Sequence, residues 1–180
     1  MTKKHRGRFL KGFVTGVTVL ITGAVLISGP NKVTNLLSRS GKTADFYFLS
    51  PPSGVNVGTE FTAELHLNTK GNAINTVGIN LTFNPEMFAI SNMTTEQSFC
   101  SFYADNVFDN IRGEVHISCG TPNPGFTGDS EVVQIKFRSR TVGTSDIRML
   151  STSQVLANDG KGTNLLHSYP AFTIHSKQLL

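Results

Sequence analysis

Tryptophan is absent from this 180-residue chain, tyrosine occurs three times and cysteine only twice. Surfaces that bind sugars usually rely on exposed planar aromatic rings, so the lack of tryptophan disfavours a carbohydrate-binding module. The sequence also lacks a Gly-x-Ser-x-Gly elbow, an HExxH motif and a glycine loop of the kind that cradles phosphate. We therefore predict that the protein is not an enzyme and that it carries no cofactor.

Acidic residues are missing from the first 42 positions, although eight lysines and arginines occur there. The remaining 138 residues hold the other eight bases and all twelve acids, a formal charge of −4. The basic character of the whole chain therefore belongs to its N-terminal segment alone. A nucleic-acid-binding role through a basic patch on the folded part is excluded on this ground.

Charge is also absent from the twenty residues between Lys11 and Lys32. As a helix this stretch would span about 30 Å, the thickness of the hydrocarbon core of a bilayer. We predict a basic cytoplasmic tail at 1–11, a transmembrane signal-anchor at 12–29 and a polar linker at 30–43. The excess of bases before the span favours a single-pass protein of the cell membrane, with its N-terminus inside and residues 44–180 outside.

Two alternatives for this segment stay open. A cleaved signal peptide shares the basic start but usually has a shorter apolar region and a clearer cleavage site. A prepilin-like leader would explain Lys11-Gly12-Phe13, but Val17 stands where pilin-like proteins have a glutamate.

From residue 44 onward apolar residues alternate with polar ones. The pattern is clearest at 61–67, 77–83, 115–119 and 133–138, and weaker strands are predicted at 46–49, 87–93, 147–150 and 171–175. Glycine, proline and asparagine clusters separate these segments. Regularly spaced short strands with one buried face are typical of an all-β sandwich or jelly roll.

The two cysteines, Cys100 and Cys119, suggest a disulfide if the domain lies outside the cytosol. The alternative is a pair of free buried thiols. Phe99, Phe102, Tyr103 and Phe108 crowd the same part of the chain. We expect them to plug one end of the sandwich, with an exposed apolar contact patch as the alternative.

A few residues suggest metal binding. His66 and His116 could share a metal ion if they were adjacent, but isolated strand histidines are usually solvated, so no metal site is predicted in this chain. Residues 158–164 offer oxygen ligands, yet they lack the EF-hand spacing, and a turn stabilised by side-chain oxygens is favoured there.

Five segments, in this order, resemble the sequence pattern of the cohesin family. They are VNVGTEF at 55–61, the strand and NP turn at 75–85, GEVHI at 113–117, PGFTG at 124–128 and SQVLANDGKGTN at 153–164. The resemblance covers about residues 44–176. It implies a nine-stranded jelly-roll β-sandwich, related to the fold of some cellulose-binding modules, which would here follow one transmembrane helix.

The resemblance also implies adhesion rather than catalysis, because cohesins bind calcium-loaded dockerin modules through one sheet face. Any calcium would then belong to the partner. The outward positions that we expect to contact a dockerin-like partner are Thr76, Gly78, Asn80, Thr82, His116 and Ser118. Type I cohesins of cellulosomes carry an Asn and an Asp where this chain has Thr76 and Gly78, so a conventional cellulosomal dockerin is not implied. A module that binds extracellular or cell-wall polysaccharide is the alternative function.

Overall fold

The computed structural model describes residues 43–179, which form two β-sheets. The eleven strands are, in chain order, β1 (Asp45–Leu49), β2 (Gly54–Asn56), β3 (Glu60–Asn68), β4 (Ile74–Thr82), β5 (Phe88–Thr94), β6 (Phe102–Asp109), β7 (Glu114–Gly120), β8 (Asp129–Ser139), β9 (Gly143–Met149), β10 (Gln154–Ala157) and β11 (Ala171–Lys177). Within these described residues, no helix has the length and apolar character needed to cross a bilayer. The predicted tail, the signal-anchor and nearly all of the linker fall at positions 1–42, outside the described residues.

The two sheets have four and seven strands. The four-stranded sheet has the order β1-β3-β8-β5, and every pair in it is antiparallel. The seven-stranded sheet has the order β2-β11-β9-β4-β7-β6, with β10 also paired to β4. The β2–β11 pair is parallel, and the other pairs of this sheet are antiparallel. This arrangement confirms the all-β sandwich expected from the sequence.

The core lies between the sheets and is built by the alternating apolar residues. In β3 the buried positions are Phe61, Ala63, Leu65 and Leu67, as the period-two pattern predicts. The same alternation buries one face of β4 and of β7. Because successive side chains in a strand point to opposite faces, the polar residues between them face outward.

A group of aromatic rings fills one part of this core. The ring of Phe137 stacks on Phe61, with centroids 5.4 Å apart, and meets Phe83 edge to face at 5.4 Å. Phe88 contacts Phe61 edge to face at 5.6 Å. Burying each phenylalanine contributes about 1.5–3 kcal/mol, so this group, which joins both sheets, is a major part of what holds them together.

The structure has eleven strands, not the nine that the resemblance implies. The alternating pattern predicted eight of them and missed three. β2 and β10 span only three and four residues, too few for an alternating pattern to be recognised. β6 lies between the cysteines, where no strand was predicted. It is an edge strand that is exposed along most of its length, so its sequence has no apolar face to reveal it.

The disulfide between Cys100 and Cys119 is confirmed, and it ties the start of β6 to the end of β7. The aromatic cluster is divided between the two alternatives given above. Phe99 stacks on Phe126 with centroids 4.0 Å apart, and Tyr103 packs against the core, so these two rings form the expected plug. Phe102 and Phe108 remain exposed.

Candidate functional site

Six outward positions that sequence reasoning selected lie on one face of the seven-stranded sheet. Gly78 pairs with Ser118, and Asn80 pairs with His116, across the antiparallel strands β4 and β7. Thr76 and Thr82 stand further along β4 on the same face, where they pair with Gly120 and Glu114. All six are half-buried, while the residues between them on β4 and β7 point into the core: Val77, Ile79, Leu81 and Ile117. We call this surface the β4–β7 face.

The centre of the β4–β7 face is a hydrogen-bonded group. Asn80 Oδ1 lies 2.8 Å from His116 Nδ1, and the other ring nitrogen of His116 lies 3.5 Å from a carboxylate oxygen of Glu114. Ser153 also contacts β4 here, because the backbone amide of Asn80 donates to the Ser153 hydroxyl at 3.0 Å. The imidazole is therefore held in one orientation on the surface.

A shallow depression of about 220 Å³ lies between Gly78, Asn80 and the neighbouring strands. Sequence reasoning missed three of the side chains that line it, Asp105, Thr152 and Gln154. Gln154 comes from β10, which pairs with β4 at Gly78. A β-carbon at position 78 would stand 3.1 Å from Cγ of Gln154, so the glycine leaves room for this side chain. The pairing of β10 with β4 was the missing information, because nothing local in the sequence predicts it.

The edge strand β6 adds apolar side chains to the same face. Phe102 is 56% exposed, and Val107, which pairs with His116, is 50% exposed. The ring of Phe102 lies over Gly120, whose missing side chain makes room for it. Asp105 stands between them on the strand and pairs with Ser118. The face thus combines small polar groups at its centre with exposed apolar groups along one margin.

The end of the β6–β7 hairpin carries a cluster of charges. Arg112 Nε lies 2.9 Å from Asp109 and 3.3 Å from Glu114. The backbone amides of Arg112 and Ile111 donate to the Asp109 carboxylate and hold its pKa below the usual value. Asp109 thus stabilises the turn between β6 and β7.

On the side of β4 away from β7, the face continues onto β9. A wider depression of about 470 Å³ is lined by residues of β4, of the turn after it and of β9: Thr82, Phe83, Asn84, Thr144, Ser145, Asp146 and Arg148. Arg148 pairs with Thr82, and both flank residues that are buried. The outward surface of the sheet is thus open beyond the six predicted positions.

The two histidines that could have shared a metal ion are not adjacent. His66 lies on β3 in the four-stranded sheet, whereas His116 lies on β7 in the other sheet. The oxygen-rich segment 158–164 is a turn, as favoured from the sequence. Asp159 accepts hydrogen bonds from the Thr163 hydroxyl and the Lys161 amide, and these contacts lower the pKa of its carboxyl group.

Comparison with solved structures finds cohesin modules. The cohesin module of a family 33 glycoside hydrolase from Clostridium perfringens has a TM-score of 0.63 at 16% identity, covering 77% of this chain and 99% of its own. The seventh type I cohesin of ScaB from Pseudobacteroides cellulosolvens has a TM-score of 0.62 at 13% identity, covering 77% and 94%. The third ScaC cohesin of Acetivibrio cellulolyticus, solved in complex with the ScaB dockerin, has a TM-score of 0.60 at 11% identity, covering 74% and 98%.

No protein-family model matches the chain, and the search of curated proteins found no similar sequence. In these comparisons the likeness to cohesins is one of structure, and identities this low show the fold alone. Residues 43–179 have the fold of cohesin modules.

Proposed function

We propose that this protein is a non-catalytic binding module that captures a dockerin-like protein through its β4–β7 face. The observation that carries the proposal is the convergence of the six predicted positions on one outward surface, beside the exposed Phe102 and Val107. The cohesin fold supports it as well, because a cohesin of the same fold was solved with a dockerin bound.

The chemistry of the face suits a protein partner. Exposed apolar side chains that stand together mark surfaces where another protein can bury them, and Phe102 and Val107 supply such area along β6. Asn80, His116 and Ser118 offer donors and acceptors beside them, and such groups fix the register of an interface. The shallow depression beside these groups gives a partner side chain a place to enter.

The partner should differ from a conventional cellulosomal dockerin. Neither Thr76 nor Gly78 can replace the Asp that the resemblance implies for type I recognition. Asp105 is the carboxylate beside the central depression, and it comes from β6 rather than from β4. A partner selected by this face would therefore place its complementary donor opposite β6.

We also propose that the module works outside the cytoplasm, attached to the cell membrane through residues 12–29. The uncharged stretch between Lys11 and Lys32 and the Cys100–Cys119 disulfide support this location, because disulfides persist in oxidising compartments. Fractionation of cells should find the chain in the membrane pellet, and added protease should degrade residues 43–180 in intact cells. Recovery of the chain in the cytosolic fraction would contradict this location.

The binding proposal is tested with the full chain as bait, in mild detergent, on the lysate and secretome of its source with calcium or EDTA. We expect capture of a protein with duplicated EF-hand-like loops, lost in EDTA. Gly78→Arg should abolish that capture in a folded protein, because the crowded neighbour is the flexible Gln154 side chain.

Thr62→Arg is the matched control, since Thr62 is exposed on β3 of the other sheet. It should capture the partner as the wild type does. Unchanged capture by a folded Gly78→Arg variant would contradict the assignment of the face. Binding of polysaccharide alone, seen as retardation in polysaccharide gels, would contradict the protein-binding role.

A further inference from the structure

Three side chains with metal-binding groups meet on the outward surface of the four-stranded sheet. Glu64 and His66 lie on β3, and Glu131 lies on β8. One ligand atom from each, a ring nitrogen and two carboxylate oxygens, lie within 4.8 Å of one another. This group is on the opposite sheet from the β4–β7 face, so it is independent of the function proposed above.

A β-bulge brings Glu131 to this surface. Leu65 pairs with Val133, but the next residue, His66, pairs with Glu131, so β8 has one extra residue, Val132, at this step. Without the bulge the register would place Val132 opposite His66 and turn Glu131 to the other side. The bulge instead leaves Val132 and Val133 both buried and sets a carboxylate beside the imidazole.

The protein does not supply a partner for every polar atom of this three-residue cluster. His66 Nε2 is buried and has no hydrogen-bond partner within residues 43–179. Glu131 is only 8% exposed, and none of the ion pairs in the described part of the chain includes it. Buried polar atoms are nearly always hydrogen-bonded, and buried charges are paired or bind metals. The unpartnered His66 Nε2 and the Glu131 carboxylate, which has a hydrogen bond but no charged partner, therefore favour a bound cation.

We propose that Glu64, His66 and Glu131 bind a divalent transition-metal ion such as Zn²⁺. Imidazole nitrogen together with carboxylate oxygen is a ligand set suited to zinc and its neighbours, whereas calcium and magnesium prefer oxygen alone. Zinc ligands stand ~2.0–2.2 Å from the ion, so the three side chains would close slightly around it. The ion would link β3 to β8 through these three ligands.

Neighbouring side chains hold two of these ligands in place. Gln134 Nε2 donates to Glu131 Oε2 at 2.9 Å, which leaves the other carboxylate oxygen free. The ring of Tyr47 packs against the imidazole of His66, with centroids 5.3 Å apart. Outer contacts of this kind orient metal ligands in known sites and strengthen metal binding.

The test is calorimetric titration of the full, untagged chain with ZnCl₂ after treatment with EDTA and removal of the chelator. We expect one saturable site, and we expect Co²⁺ in its place to give the visible absorption of a low-symmetry site with a nitrogen ligand. His66→Gln and Glu131→Gln should each weaken zinc binding at least tenfold. Glu64 is less buried than Glu131. Glu64→Gln therefore tests the same site with less risk to folding.

His116→Gln is the matched control, because it removes an imidazole from the other sheet, and it should bind zinc as the wild type does. Thermal unfolding of each variant without metal checks that it is folded. The proposal is overturned if the wild type shows no saturable zinc binding, or if the His66 and glutamate variants bind as well as it does. A folded His66→Gln variant should still capture the partner. This readout distinguishes a failure of the metal-site proposal from a failure of the proposed β4–β7 binding face.

Discussion

Asn80 and His116 face each other across β4 and β7, with Asn80 Oδ1 2.8 Å from His116 Nδ1. Because an amide oxygen accepts, Nδ1 of the imidazole donates in this pair. The other ring nitrogen then stands 3.5 Å from Glu114. The pair fixes the orientation of a half-buried histidine at the centre of the β4–β7 face. The imidazole would therefore already be ordered before a partner binds.

The energy of this pair can be measured with a double-mutant cycle. Asn80→Ala and His116→Ala should each destabilise the fold, and the double variant should lose less than their sum. The coupling should be about 0.5–1.5 kcal/mol, the usual net worth of an intramolecular hydrogen bond. Urea unfolding of the four proteins measures it. Strict additivity would mean that the two side chains do not interact in solution.

The alternating pattern was sufficient to predict the main strands and the core they bury. Phe61, Leu65 and Leu67 on β3 alternate with polar residues, and each lies in the interior as predicted. The outward direction of Gly78 and Asn80 follows from the same alternation. These features depend on a period of two residues within one strand, which a sequence displays directly.

Features that depend on contacts between distant segments could not be predicted in this way. β10 reaches β4 at Gly78 only through the tertiary fold, so Gln154 was not recognised as part of the face. The bulge that sets Glu131 beside His66 is a shift of register between β3 and β8, and neither strand reveals it alone. β6 was missed because an exposed edge strand needs no apolar face.

Removal of the disulfide should weaken the domain and loosen β6. Cys100 and Cys119 are 19 positions apart, and closing a loop of that length stabilises a fold by about 3 kcal/mol through the entropy of the unfolded chain. Reductant, or the Cys100→Ala/Cys119→Ala double variant, should lower the free energy of unfolding by roughly that amount. Urea titration with and without reductant measures it. The double variant is the control, since reductant should not change it further.

Gly113 should tolerate alanine poorly, because two requirements meet at this position. Its φ of 71° lies in the left-handed region, and a β-carbon there would collide with the backbone carbonyl of Phe83. Gly162 has the same φ of 71° but no atom within 4 Å of its β-carbon position. Gly162→Ala should therefore cost about 1 kcal/mol, the conformational term alone. Gly113→Ala should cost at least about 2 kcal/mol. Equal costs in thermal unfolding would show that the backbone relaxes away from the collision.

Tyr47 should make stability depend on pH in the alkaline range. Its hydroxyl donates to Asp129 Oδ1 at 2.7 Å, and this bond raises the pKa of the phenol to about 12. An unfolded tyrosine titrates near pH ~10. Because the pKa is higher in the folded state, the contribution of this bond is fully present below about pH 10 and is lost as the pH rises towards 12.

Tyr47→Phe should remove that part of the decline in stability. Urea unfolding of both proteins at several alkaline pH values measures the difference, and the ultraviolet absorbance of tyrosinate follows the titration itself. Parallel declines in the two proteins would show that the Tyr47–Asp129 bond does not form in solution.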